Sequence, residues 1–179
     1  MPSVVPESRQ DCSDAAAMPS ASFRSRRLGV GVLVLILGLD QLSKWWIVSE
    51  LMTPPQTVTV TPFFNLILVW NRGVSFSLLS HEADLVPYGL AGLSLVIAGW
   101  LGRWLWQQPA WRTAVGLGMV IGGALGNVID RLRFGAVADF LDFHALGWHF
   151  ATFNVADGGI SLGVMLILID SLFGSSQKP

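Results

Sequence analysis

Four stretches of the chain are poor in charge and long enough to cross a bilayer: Leu28–Val48, Val86–Leu105, Trp111–Ile129 and Phe153–Phe173. As a helix the first is about 31 Å long, which matches the hydrocarbon core of a membrane. A basic run, "RSRR", precedes it, as in a secretory signal peptide. No small-residue cleavage site follows, and "DQLSKWWIV" continues the helical pattern, so the stretch reads as a retained span. Residues 1–23 are rich in Ser, Ala, Pro and Asp without periodicity and read as a disordered tail. One four-span domain, residues 24–175, follows.

The connection after the first span has a different pattern. In "TVTVTPFFNLILVWNRGVSFSLLS" the opening "TVTV" alternates, Val, Thr, Phe and Ile dominate, and Pro and Gly punctuate. It predicts strands over about residues 50–82. The fold class is therefore a mainly α membrane protein, with four transmembrane helices and a small β-sheet between helices 1 and 2.

Small residues suggest how the helices pack. Gly118, Gly122 and Gly126 fall four apart on one face of the third helix, and Gly159 and Gly163 do so on the fourth. That spacing lets helix backbones approach closely in lipid. Basic residues suggest orientation. Arg24, Arg26, Arg27, Arg103, Arg112 and Lys178 flank one side, against Arg72, Arg131 and Arg133 on the other. The positive-inside rule then puts both termini in the cytoplasm and the two longer connections, about 49–85 and 130–152, on the outer side. Trp148 and Phe150 suit the interfacial zone there.

Composition narrows the function. The chain is 52% hydrophobic and 13% charged, half the charge of an ordinary soluble domain at about 25%. A net charge of −1 gives no basic surface for nucleic acid. The single Cys12, in the tail, supports neither a disulfide framework nor a thiolate cluster, and His81, His144 and His149 are scattered. No metal and no cofactor is expected.

Acids at membrane depth cost roughly 2.5–3.5 kcal/mol on insertion scales, so each needs a reason. Asp40 and Lys44 stand four apart with the acid first, the favoured order for a helical pair, and read as a structural ion pair. Asp130 and Arg131 end the third span and, being adjacent, serve different partners. Arg131 has no proton to give. It suits bracing a loop or holding a lipid phosphate or a carboxylate. A cation near Asp130 would hold it ionised.

Asp139 and Asp157 stand apart, because no Lys or Arg lies between residues 134 and 177. If their carboxyls meet, both cannot ionise cheaply and the pair shares a proton. Such a dyad takes a proton from water and gives one to a carbonyl oxygen. The plainer alternative is that Asp157 caps its helix and Asp139 is a loop acid. Asp142 and Asp170 read as solvated.

Five motifs appear in order: "DQLSK" at 40–44, "NRGVSF" at 71–76, "GGALGNVIDR" at 122–131, "VADFLDF" at 137–143 and "FNVADGGISLG" at 153–163. With four spans they make the chain resemble lipoprotein signal peptidase, or signal peptidase II, a bacterial membrane aspartyl protease family. The resemblance covers about Leu28–Phe173. It implies that Asp139 and Asp157 are catalytic, with Asp40, Lys44, Asn71, Gly73, Asn127, Asp130, Arg131 and Asn154 supporting or binding substrate. It implies a diacylglyceryl prolipoprotein substrate cleaved just before the lipid-bearing cysteine, in the bacterial inner membrane with the site on the periplasmic face. It also implies contact with membrane lipid, a globomycin-type inhibitor, a monomer, and a periplasmic β-cradle after the first span. Arg72, Val74 and Ser75 depart from the smaller or uncharged residues common in that loop. A proton-coupled transporter is the main rival reading and predicts acids near mid-span; a non-catalytic scaffold is the second.

Overall fold

A computed structural model of the chain describes residues 20–73, 85–107, 110–145 and 148–173. Cys12, Val74, Ser75, His81, Lys178 and the end of the expected β segment lie outside these. Four helices are long and apolar enough to cross a membrane. They are α1 (Ser20–Trp46, continued by a π-helical turn, Ile47–Leu51), α2 (Val86–Trp106), α3 (Trp111–Phe134) and α4 (Val155–Phe173). Helix α1 thus starts within the stretch read as a disordered tail. Nothing between Ser20 and the apolar span breaks a helix, and its arginines are good helix formers.

Helix α3 is central and is buried along most of its length. Ala98, Leu101 and Leu105 of α2 pack against its Ala114, Leu117, Val120 and Ile121. Its glycines serve two neighbours. Gly118 and Gly122 lie against the backbone of α1 at Gly29 and Leu33, and Gly126 lies against the Asp40 carboxylate. Gly116 and Gly123 instead face α4, at Gly163 and Ala156. The stripe Gly118–Gly122–Gly126 therefore seats α1 rather than joining α3 to α4.

The sheet order is β1 (Val58–Thr61), β2 (Phe64–Asn71), β3 (Val137–Ala145) and β4 (Trp148–His149), antiparallel throughout. The expected sheet between helices 1 and 2 is there, but its central partner comes from the connection between α3 and α4. That strand was not apparent from its own sequence. Val137–Phe140 are buried, so the strand lacks the alternation that marks a half-exposed one. Gly135 enables it. At φ 65° it ends α3 in the left-handed conformation, donates its N–H to the Arg131 carbonyl at 3.0 Å, and turns the chain into β3.

Candidate active site

Two local features bring the acids together. The first is the pairing of β2 with β3. Leu66 pairs with Leu141 and Val69 with Asp139, so Ile67 and Leu68 of β2 oppose Phe140 alone. This bulge changes the face that β2 presents. Asp139 and Asp142, three apart on β3, point to opposite faces, and the bulge lets an asparagine meet each. Asn65 pairs with Asp142 and donates Nδ2 to its Oδ2 at 3.1 Å. Asn71 reaches diagonally and donates Nδ2 to Asp139 Oδ2 at 2.9 Å. The oxygen of Asn71 is held in turn by the N–H of Gly73 at 2.8 Å, in a turn that Gly73 makes with φ 94°.

The second feature ties the start of α4 to β3. Leu141 and Phe153 exchange backbone hydrogen bonds of 2.8 and 3.1 Å, and the Phe143 and Phe153 rings stack at 5.7 Å. Asn154 follows at once and caps α4. Its Oδ1 accepts the Asp157 N–H at 3.0 Å, and its own N–H donates to Asp157 Oδ2 at 3.3 Å. This is a reciprocal capping box with aspartate in the third position. Asn154 also donates Nδ2 to Asp139 Oδ1 at 2.6 Å. One fully buried amide therefore touches both aspartates. Asp157 is a cap, as the plainer reading had it, and its other oxygen is turned elsewhere, so the cap and the pair coexist.

That other oxygen accepts Nδ2 of Asn127 at 2.8 Å. The direction of this amide is fixed from behind. Lys44 Nζ donates to Asn127 Oδ1 at 3.1 Å, and an ammonium can only donate, so the nitrogen of Asn127 must face Asp157. Lys44 spends its other two hydrogens on Asp40, at 2.9 Å, and Asp130, at 2.8 Å. Gln41 donates to both carboxylates at 3.2 Å, the Ala156 N–H donates to Asp40 at 2.9 Å, and the Ala138 N–H to Asp130 at 3.2 Å. The ion pair expected four apart on α1 is present, and it is a three-membered buried cluster rather than a pair.

The predicted residues thus converge at one end of the bundle: Asp40 and Lys44 from α1, Asn71 from the end of β2 with Gly73 just after it, Asn127, Asp130 and Arg131 from α3, Asp139 from β3, Asn154 at the cap of α4 and Asp157 in its first turn. Arg131 and Asp130 do serve different partners. Arg131 donates to the Asn127 carbonyl at 3.3 Å and lies within electrostatic reach of Asp157 and Asp139. Three expectations are corrected. Asp142 is 2% exposed and bound by Asn65, not solvated. Asp170 is half-buried and accepts the Thr113 hydroxyl at 2.5 Å. Cations absent from the sequence around the two aspartates arrive through space, as Lys44 and Arg131. Asn65 and Gln41 were not singled out as site residues. Gln41 stands inside the "DQLSK" motif, while Asn65 gives no local signal in its strand.

Burial holds the Asp139 carboxyl above the ordinary carboxylate range, and the Asp157 charge adds to this. The donors Asn71 and Asn154, and the Lys44 charge, oppose it. The sign follows. Asp139 holds its proton more tightly folded than unfolded, so its contribution to stability is complete below the ordinary carboxylate value and is lost as pH rises through the raised one. Removing a donor to the ionised form raises the value further. The Asn71→Ala variant is therefore expected to hold the Asp139 proton to higher pH than the parent chain, read from carboxyl NMR titrations of the two.

One buried carboxyl inclined to keep its proton, beside a second, partly exposed carboxylate at a helix N-terminus, can donate and accept protons at one reacting centre. Comparison with known proteins agrees in kind. The family model for signal peptidase (SPase) II matches residues 32–173. The lipoprotein signal peptidase of Coxiella burnetii (strain RSA 331 / Henzerling II) is 43% identical over 148 residues, covering 82% of this chain and 90% of the relative. That of Rhizorhabdus wittichii is 42% identical over 164 residues, covering 90% and 95%. Two solved bacterial membrane enzyme structures, obtained by the in meso method at 2.3 and 1.9 Å, superpose with a TM-score of 0.70 at 28% identity. They cover 84% and 81% of this chain, and 91% and 92% of their own.

Proposed function

This chain belongs to the signal peptidase II family, membrane-spanning aspartic-type peptidases that remove signal peptides from lipoproteins, and on that premise we propose that Asp139 and Asp157 are its catalytic pair. The observation that carries the reading is Asn154, whose single side chain binds Asp139 and caps α4 through the N–H of Asp157 in its first turn. In the proposed reaction Asp139 begins protonated and hydrogen-bonds the scissile carbonyl oxygen. Asp157 takes a proton from water, which attacks the carbonyl carbon, while Asp139 gives its proton to the oxygen. On collapse the C–N bond breaks, Asp157 returns its proton to the leaving nitrogen, and Asp139 regains one from the hydroxyl. The products are a carboxylic acid and an amine, and each aspartate ends as it began.

The substrate is a diacylglyceryl prolipoprotein, cut just before its modified cysteine. A scissile bond beside a lipid lies at the membrane boundary, and the pair sits at helix ends where the aromatic side chains of Trp148 and Phe150 are 81% and 70% exposed. In this reading both termini are cytoplasmic and the pair lies on the periplasmic side of the inner membrane, which the arginines at the opposite end of the bundle support through the positive-inside rule. The chain acts as a monomer, and a globomycin-type cyclic peptide blocks it.

The test offers the purified protein a diacylglyceryl precursor and the same precursor without lipid, and maps the new N-terminus by mass spectrometry. Cleavage before the modified cysteine, of the lipidated precursor only and unchanged by EDTA, is the expected result. Equal cleavage of both, a cut elsewhere, or EDTA inhibition reversed by zinc would overturn it.

A further inference from the structure

We propose that a cleft between α1 and α2, at the end of the bundle away from the aspartates, binds one anionic phospholipid. The cleft has a volume of about 550 Å³, in the range of pockets that take small molecules. From α1 it is lined by Phe23, Arg26, Arg27, Val30, Gly31 and Val34. These positions recur every three or four residues and so form one stripe along the helix. The stripe is about 16 Å long at 1.5 Å per residue, roughly the depth of one leaflet. Trp106, at the end of α2, supplies the opposite wall.

The stripe is divided chemically as a phospholipid is. Phe23 and the two arginines stand toward the start of α1, and Val30, Gly31 and Val34 lie deeper. The Arg26 guanidinium lies 5.0 Å from the Trp106 ring centre and 5.4 Å from that of Phe23, so aromatic faces hold it over the cleft mouth. Among the described residues no carboxylate forms a salt bridge with Arg26 or Arg27. The one acid at this end among them, Asp170, is taken by Thr113. A guanidinium fork matches a phosphate geometrically, and basic pockets between spans bind anionic head groups. Below, a side chain added at Gly31 meets nothing within 4 Å, while Val30 and Val34 are 37% and 61% exposed. Open apolar space at that depth suits an acyl chain. The occupant is thus a membrane phospholipid with a negative head group, not a soluble phosphate and not a second copy of the chain.

Native mass spectrometry of the full chain, released from micelles with equimolar phosphatidylglycerol and phosphatidylcholine, tests this. The expected result is one phosphatidylglycerol retained in preference. Each of Arg26→Gln and Arg27→Gln weakens retention about fivefold, the factor for about 1 kcal/mol per basic residue. Gly31→Leu fills the cleft and abolishes retention, with an unchanged melting temperature showing that it folds. Arg112→Gln, a charge at the same end outside the cleft, changes nothing, and excess glycerol 3-phosphate displaces nothing. Equal retention of the two lipids, retention by Gly31→Leu, or an equal loss with Arg112→Gln would leave only general surface charge and overturn the site. So would a dimer without lipid, or displacement by glycerol 3-phosphate.

Discussion

Asp139→Asn and Asp157→Asn are each expected to lower turnover of a diacylglyceryl prolipoprotein by about 10²–10⁴-fold, the contribution of general acid–base groups. The substitutions keep size and remove a group that can give or take a proton near neutral pH. At Asp157 the capping geometry survives, because an amide oxygen can still accept the Asn154 N–H. At Asp139 one oxygen still meets Asn71 or Asn154. Both variants should therefore fold, and the loss should fall on kcat more than on KM, since the removed interaction is made in the transition state. Single-turnover cleavage by folded, purified variants measures it.

The second large effect concerns stability. Lys44→Met leaves Asp40 and Asp130 buried, 0% and 1% exposed, without the ammonium that binds both. Removing one partner from a buried ion pair costs about 3–5 kcal/mol, because the remaining charge is uncompensated. Thermal unfolding in detergent should show that loss. The triple variant Asp40→Asn, Lys44→Met, Asp130→Asn should recover most of it, since no charge then remains stranded. The triple variant should still turn over slowly, because the Asn127 oxygen then keeps only the 3.3 Å bond from Asn154 Nδ2 to hold its amide nitrogen toward Asp157. A stable triple variant with parental turnover would show that Lys44 only holds helices together.

The helices were legible in the sequence because apolar runs of membrane length have few other uses. The Asp40–Lys44 pair was legible from helical spacing alone. What local pattern could not give was β3. Asp139 and Asp142, three apart, look as much like one helical face as a strand, and only the bulge in β2 explains how Asn65 and Asn71 meet them separately. The burial of Asp142 is hidden from local pattern for the same reason. The spacing of the glycine stripe on α3 marks a close-packing surface, but spacing does not say which neighbour it seats, and it seats α1. The meeting of Asp139 and Asp157 rests on the Leu141–Phe153 bridge and on Asn154, contacts that join segments from different connections. Motif order pointed to that pairing; distances and donors give it a physical form.

The most direct measurement is single-turnover cleavage of a diacylglyceryl prolipoprotein by Asp139→Asn, Asp157→Asn and the double variant, each confirmed as folded. Two groups acting on one reacting centre are not additive, so the double variant should be no more than a few-fold slower than the slower single variant. Parental turnover by either single variant, or a double loss equal to the product of the two, would contradict a working pair.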